Sequence, residues 1–111
     1  MEGRFRFTKE ERITSSQEFK WVIRNGKRLS TKNYIIFMKE NEKGFHRLGI
    51  IIKKEVGRAT LRNRVKRCLR EFFRLNKHRI GGSFDIIILV KKGVSPKKYC
   101  EVEEELLKAL G

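Results

Sequence analysis

A chain of 111 residues is the size of one domain, and its 28 Lys and Arg against 13 Asp and Glu give a net charge of +15. Because a small domain needs a net charge of only about 2–8 for solubility, this excess predicts a polyanionic partner, either a nucleic acid or an anionic membrane surface. No apolar run approaches the roughly 20 residues of a membrane-spanning helix, and the N-terminus lacks the apolar segment of a signal peptide. We therefore expect one cytoplasmic domain over residues 1–111 with no membrane partner. The two cysteines, Cys68 and Cys100, fit neither a metal site nor a disulfide framework.

The N-terminal part is predicted to form a basic arm followed by a short helix. Residues 1–13 place apolar side chains among cations and would pack across the domain. The helix would follow Ser15, whose spacing to Glu18 is that of a capping box, and would end at Gly26. Its buried side is predicted to consist of Phe19, Val22 and Ile23.

Three strands are predicted from residues that favour extended structure. Residues 33–39 and 48–53 are rich in β-formers, and residues 40–44 would join them as a hairpin loop, so that these two strands pair antiparallel. Residues 84–90 are apolar nearly throughout, which is typical of a strand covered on both faces.

The segment between the second and third strands is the most informative one. Its apolar residues recur on one stripe of a helix predicted over Leu61–Lys77, namely Leu61, Val65, Cys68, Leu69 and Phe72. The opposite side is polar and cationic: Arg62, Asn63, Arg64, Lys66, Arg67, Arg70, Arg74 and Lys77. Like charges four residues apart destabilise an isolated helix by a few tenths of a kcal/mol per pair, a cost that a fold tolerates when a polyanion is bound. With eleven Lys or Arg and two Glu, residues 53–79 are dense enough in cations to predict a dedicated site.

The last helix and the order of elements indicate the fold class. Ser95 and Pro96 would begin this helix as cap and first residue. Tyr99, Val102, Leu106 and Leu110 would line one side of it. The order αββαβα predicts an α+β fold, a small two-layer α/β sandwich on a mixed sheet, in which the second and third strands run parallel.

Catalysis by the protein's own side chains is not favoured. His46 and His78 have no carboxylate partner evident in the sequence, and the acids outside the C-terminal Glu run are scattered singly. Two-metal nuclease chemistry needs several converging carboxylates. Asp85 interrupts a buried strand, where we expect it to bond a neighbouring or basic side chain. We therefore predict no catalytic residue, no metal site and no cofactor bound by the protein.

A second surface is suggested by alternation in the strand 33–39. Ile35 and Phe37 point to the same face, and Phe19 of the first helix could converge with them to line a cleft. Exposed aromatic rings beside cations bind single-stranded nucleic acid by stacking, at about 1–3 kcal/mol per base. The pattern by itself slightly favours the alternative, in which these residues belong to a packed core.

The run from Arg47 to Arg74 closely resembles the signature of the bacterial ribonuclease P protein subunit. A glycine-bearing strand is followed there by paired lysines, by Gly-x-Ala and by Arg-Asn-Arg-x-Lys-Arg-x-x-Arg. The resemblance implies an RNA-binding subunit that assists a catalytic RNA in removing the 5′ leader of precursor tRNA. Mg²⁺ would be used by that RNA, the protein alone would be inactive, and no obligate protein partner is expected. It also implies a left-handed crossover between the parallel strands, against the right-handed default.

The resemblance also assigns residues to two surfaces. Contacts with the catalytic RNA fall on the basic loop and helix, residues 53–77: Lys53, Lys54, Arg58, Arg62, Asn63, Arg64, Lys66, Arg67 and Arg70. Arg74 extends this set from the charge pattern alone. A cleft for the leader would be lined by Phe19, Ile23, Ile35 and Phe37. Relatives often carry Phe at the position of Ile23, so we expect apolar contact there instead of stacking. The remaining alternative is a ribosomal or other structural RNA-binding protein without processing activity.

Overall fold

The structure is a computed structural model that describes residues 7–94 and 99–110. Within these residues the chain forms the helices α1 (Ser16–Asn25), α2 (Ala59–Asn76) and α3 (Tyr99–Leu110). The strands are β1 (Lys27–Ser30), β2 (Tyr34–Glu40), β3 (Arg47–Ile51) and β4 (Phe84–Val90). Single 3-10 turns cover Lys9–Glu11, Lys54–Val56 and Lys77–Arg79. The predicted start of the last helix at Ser95 and Pro96, and residues 1–6 of the predicted arm, lie outside the described residues.

The four strands form one mixed sheet in the order β1-β2-β4-β3. Strand β4 runs antiparallel to β2 and parallel to β3, which confirms the predicted parallel pair. The predicted hairpin between β2 and β3 is wrong, because β4 lies between them. Strand β4 is apolar on both faces, and a central position in the sheet allows both of those faces to be covered. The hand of the crossover through α2 stays a prediction.

Strand β1 is an additional strand that the sequence pattern did not predict. It pairs antiparallel with β2, with Lys27 opposite Met38 and Ser30 opposite Ile35. Its sequence, Lys-Arg-Leu-Ser, has a single apolar residue and so carries no strand signal of its own; the cations are typical of a protected sheet edge. The chain enters β1 through Gly26, where an added Cβ would lie 2.8 Å from the carbonyl oxygen of Met38.

One face of the sheet is closed by α2 and α3. The predicted stripe of α2 is confirmed: Val65, Leu69 and Phe72 are buried, Leu61 and Cys68 are half-buried, and Phe73 joins them. They pack with the alternate strand residues Ile36, Leu48, Ile86 and Ile88. From α3, Val102 and Leu106 are buried and Leu110 is half-buried. This face holds most of the core.

The opposite face is covered by α1, together with Ile13 of the arm, so the sheet has helices on both sides instead of the predicted two layers. Buried Val22 of α1 packs on Phe37 and Ile87, which alternate with the residues of the closed face. Helix α1 begins after Ser15 and ends before Gly26, as predicted. The predicted capping box is wrong, however: Ser15 makes no side-chain cap bond. The Glu18 carboxylate instead accepts a hydrogen bond from Arg47 of β3 at 2.7 Å.

The described part of the arm, residues 7–13, lies across β3 and α2. The Ile13 N–H donates to the Leu48 carbonyl at 3.0 Å, and the Phe7 ring meets the Phe73 ring edge-on with centroids 5.3 Å apart. The ammonium of half-buried Lys77, directly after α2, forms an ion pair with buried Glu11. These contacts attach the arm to the domain at both ends of the described segment.

Candidate RNA-binding interface

The predicted cations of α2 and of the loop before it, together with Asn63, are here called the basic face. It comprises Lys53, Lys54, Arg58, Arg62, Asn63, Arg64, Lys66, Arg67, Arg70 and Arg74. Arg64, Arg67 and Arg70 are exposed, whereas Lys66 is half-buried on the side facing the arm. The structure thus brings all ten predicted residues onto the loop and helix, because the apolar stripe on the opposite side holds α2 against the sheet.

Few of these charges are neutralised within the protein. In the described part of the chain, Arg74 pairs with Glu71, and the Arg62 Nε donates to the Gly57 carbonyl at 3.2 Å. The other cations of the basic face form no salt bridge with a described carboxylate. Their mutual repulsion would be relieved by a polyanion.

The start of α2 adds to this preference for an anion. Its first turn contains no acidic residue, and the Arg58 side chain at the N-cap position forms no capping bond. Cations near a helix N-terminus oppose the helix dipole, and the free N–H groups of the first turn are acceptor-seeking. A phosphate at this end would satisfy both the charge and the N–H groups.

Buried Arg47 differs from these cations, because it has carboxylate partners. Arg47 donates from Nε to Asp85 Oδ1 at 2.8 Å and from Nη2 to Asp85 Oδ2 at 2.7 Å, and it also reaches Glu18. Burial raises the pKa of Asp85, but the hydrogen bonds from Arg47 and Asn41 lower it by more than burial raises it. The pKa of this carboxyl is therefore below its usual value. The expectation that Asp85 bonds a basic side chain is confirmed.

The predicted leader residues are only partly brought together. Phe19 and Ile35 are half-buried and pack on the cluster under α1, but Phe37 is 9% exposed and belongs to the core. The Phe19 ring rests on Gly49 so closely that an added Cβ would lie 2.7 Å from it. Ile23 is 38% exposed and lies outside this cluster.

Sheet register adds two residues that the sequence analysis missed. Ile35 of β2 is opposite Leu89 of β4, which is opposite Ile51 of β3. All three side chains are half-buried, because α1 covers the preceding row of the sheet more completely than this one. With Phe19 they form what we call the α1–sheet cleft. Alternation in 84–90 could have indicated Leu89, but its neighbours depend on strand order.

His46 is held by two hydrogen bonds to the backbone. Buried His46 accepts the Phe84 N–H at Nδ1, 3.0 Å away, so its Nε2 carries the proton and donates to the Ile80 carbonyl at 2.8 Å. A ring with both nitrogens hydrogen-bonded to the backbone has a structural role. Across residues 7–94 and 99–110, no three His, Cys, Asp or Glu side chains form a group that could hold a metal ion.

Comparison with known proteins now identifies the family. A family model described as ribonuclease P matches residues 7–111. The chain belongs to the ribonuclease P protein family. Ribonuclease P protein components from Syntrophus aciditrophicus and Thermotoga maritima are 45% and 35% identical to it. These matches cover 88% and 94% of this chain, and 82% and 92% of the relatives.

Solved structures of the family have the same fold. The ribonuclease P protein from Thermotoga maritima superposes with a TM-score of 0.82 at 35% identity, covering 90% of this chain and 94% of that one. The Staphylococcus aureus ribonuclease P protein gives 0.82 at 28% identity, over 90% and 92% of the two chains. The predicted mixed α+β class is thereby confirmed.

Membership of the ribonuclease P family establishes the general role of the chain. It is a protein subunit of the ribonuclease P endoribonuclease, an RNA-binding component in tRNA processing, and its partner is the ribonuclease P RNA. The helices in the described part of the chain lack the length and apolar content that crossing a bilayer requires.

Proposed function

We propose that the basic face binds the catalytic RNA of ribonuclease P and that the α1–sheet cleft binds the 5′ leader of precursor tRNA. In this proposal the RNA, using Mg²⁺, hydrolyses the bond that releases the leader, and the protein alone has no nuclease activity. The complex works in the cytoplasm, as the sequence analysis expects.

The observation that carries the proposal is the contrast between paired and unpaired cations. Buried Arg47 and half-buried Lys77 have carboxylate partners, whereas the exposed cations Arg64, Arg67 and Arg70 have none among the described residues. Arginine suits phosphate because its planar guanidinium donates two parallel hydrogen bonds. Neutralising phosphates releases condensed counterions, which supplies affinity that falls steeply with salt.

The cleft supports the second half of the proposal. Its floor of half-buried aliphatic side chains and the edge of the Phe19 ring can contact unstacked bases, which single-stranded RNA offers. Because β3 and β4 are parallel, their carboxyl ends lie at the same end of the sheet. The exposed cations that follow these strands, Lys53 and Lys92, are therefore on that side. The leader backbone would meet cations there while its bases face the cleft.

Reconstitution tests the division of labour between RNA and protein. We expect precursor cleavage by catalytic RNA plus protein at lower Mg²⁺ than by RNA alone, because the basic face offsets phosphate repulsion between the two RNAs. Purified protein with precursor and Mg²⁺ should cleave nothing. An unchanged Mg²⁺ requirement, or cleavage by the protein alone, would contradict the proposal.

The basic face is tested by removing two charges. Arg64→Gln with Arg67→Gln should weaken binding to the catalytic RNA and reduce the slope of log affinity against log salt by about 1 per charge. Arg24→Gln, which removes an exposed charge from α1, is the control and should leave the slope unchanged. Equal slopes in all variants would contradict a phosphate-binding role for the basic face.

The cleft is tested by truncating its floor. Ile35→Ala should weaken holoenzyme binding of leader-bearing precursor by about 1 kcal/mol, roughly fivefold, with no effect on mature tRNA. Leu29→Ala removes a similarly half-buried side chain from the other face of the sheet and serves as the control. If both variants change the precursor-to-mature ratio equally, the cleft does not hold the leader.

A further inference from the structure

A narrow groove joins the two surfaces just described. It has a volume of about 240 Å³ and lies between the arm, α1, β3 and α2. We call it the junction groove and define it by Phe7, Arg12, Phe19, Gly49, Lys66 and Arg70. A second groove along α2 shares Phe7, Lys66 and Arg70 with it and continues to Asn63 and Arg67. Phe19, at the other end, belongs to the α1–sheet cleft. The junction groove is therefore the path between the basic face and the cleft.

Three cations from two elements surround this groove. Lys66 and Arg70 lie one turn apart on α2, and Arg12 comes from the arm, with its guanidinium carbon 4.9 Å from the centroid of the Phe7 ring. None of the three forms a salt bridge with a described carboxylate. Cations gathered around a groove raise the local concentration of anions, so an anion is the ligand that this charge distribution favours.

The floor of the groove supplies a backbone donor as well. Strand β3 is an edge strand, and its Leu48 carbonyl accepts the Ile13 N–H of the arm at 3.0 Å. Backbone groups two residues apart in a strand point to the same side, so Ile50, which lines the groove, turns its N–H away from β4 and toward the groove. An N–H among three cations is a phosphate-oxygen donor.

The two rings of the groove are anchored and partly open. Phe7 is half-buried against Phe73, and the half-buried Phe19 ring rests on Gly49. Rings beside cations contact bases or ribose of a single strand. The combination of cations, an open N–H and two rings fits a nucleotide unit better than a free inorganic anion.

We propose that the junction groove binds a phosphodiester of single-stranded RNA where the strand passes from the basic face into the α1–sheet cleft. Arg12 provides the contact from the arm, opposite Lys66 and Arg70. This inference rests on the proposed function and deepens it, because it makes the arm a third RNA-binding element. The phosphodiester belongs either to the leader or to the catalytic RNA, and both have the same chemistry.

Arg12 allows the groove to be tested apart from the basic face. We would compare Arg12→Gln, the charge-conserving Arg12→Lys and the control Lys9→Gln, which removes an exposed charge from the same arm outside the groove. Affinity would be measured against salt for three pairs: protein with catalytic RNA, holoenzyme with leader-bearing precursor, and holoenzyme with mature tRNA. Thermal unfolding of each variant would show whether the arm remains packed.

Arg12→Gln is expected to weaken RNA binding about fivefold and to lower the salt slope by about 0.7, the value for one contact with a single strand. Arg12→Lys should restore the slope, and Lys9→Gln should match the wild type. A loss confined to leader-bearing precursor assigns the phosphodiester to the leader, and a loss with catalytic RNA assigns it to that RNA.

The proposal is overturned if Arg12→Gln and Lys9→Gln behave alike, or if Arg12→Gln lowers affinity without changing the slope. The wild type and the Arg64→Gln, Arg67→Gln variant belong to the same series. If those two fail to show salt-dependent binding to catalytic RNA, the proposed function itself fails. If they show it while Arg12→Gln matches its control, only the junction groove is refuted.

Discussion

The two faces of the sheet are built from alternating residues of the same strands, yet they are covered to very different extents. On one face, α2 and α3 bury Ile36, Ile86 and Ile88 almost completely. On the other, α1 and Ile13 of the arm bury Ile87 but leave Leu89 half-buried. Adjacent residues of β4 therefore lie in different surroundings: Ile88 is in the closed core, and Leu89 lines the α1–sheet cleft.

This difference separates stability from binding. Burial on the closed face stabilises the fold in proportion to the apolar area removed from water. The half-buried residues Ile35, Leu89 and Ile51 contribute less of this stabilisation, because part of their apolar area stays in contact with water. That accessible area is what a single-stranded ligand can contact. The α1 side compensates with the Glu18–Arg47–Asp85 network, which ties the helix to the sheet by ion pairs.

The largest effect is expected from breaking that network. Arg47→Met should destabilise the protein by about 4 kcal/mol, because it leaves the buried Asp85 carboxylate without its cation. Urea unfolding measures the loss, and hydrogen exchange should rise in α1 before it rises in α2. Arg24→Met, at an exposed position of α1, is the control and should change stability by less than about 0.5 kcal/mol. Equal losses in the two variants would show that the network does not hold α1 to the sheet.

The next effect compares neighbouring positions of β4 directly. Ile88→Ala should cost about 3 kcal/mol, because Ile88 is 1% exposed in the closed core. Leu89→Ala should cost about 1 kcal/mol, since its side chain is already half-exposed. Thermal or urea unfolding of the two variants measures the contrast. A larger loss at Leu89 would mean that the α1 side is as closed as the other face.

A glycine substitution sharpens the comparison at the cleft. Gly49→Ala should destabilise by about 2 kcal/mol and displace the Phe19 ring, which lies 2.7 Å from the added Cβ. Affinity for leader-bearing precursor should change with it, whereas affinity for catalytic RNA should not. At Gly81 an added Cβ meets nothing within 4 Å, so Gly81→Ala is the control. A tolerated Gly49→Ala with unchanged leader binding would contradict the placement of Phe19 in the cleft.

The smallest effect concerns pH. The folded-state pKa of Asp85 is lowered below its usual value of 3.8; its ionisation therefore stabilises the fold fully above that pH and ceases to do so as pH falls through the folded-state pKa. Asp85→Asn should be less stable than the wild type at pH 7, and the gap should narrow at pH 3. Urea unfolding at the two pH values measures it. If the stability difference between the two proteins grew on acidification, ionised Asp85 would not be the form that stabilises the fold.

Prediction from sequence succeeded where the signal is local. The ends of α1 at Ser15 and Gly26 and the buried stripe of α2 both follow from residue type and spacing. That Asp85 needs a basic partner follows from its charge within an apolar strand, although the partner itself, Arg47, is 38 residues away. Prediction failed where distant elements compete for the same group. Glu18 is spaced to cap its own helix, but its carboxylate instead accepts one hydrogen bond from buried Arg47 of β3, which is held in place by two hydrogen bonds to Asp85.

By itself, the sequence determined the helices, the cationic side of α2, the charge that demands a polyanion and the family signature, because periodicity and composition act within a few residues of the chain. The tertiary structure alone decided that β4 separates β2 from β3, that β1 joins the edge, and that Phe37 is core while Leu89 and Ile51 line the cleft. Strand order and coverage depend on contacts between residues far apart in the chain. No local pattern indicates the strand order, since a strand that is apolar on both faces can pair with any two neighbouring strands.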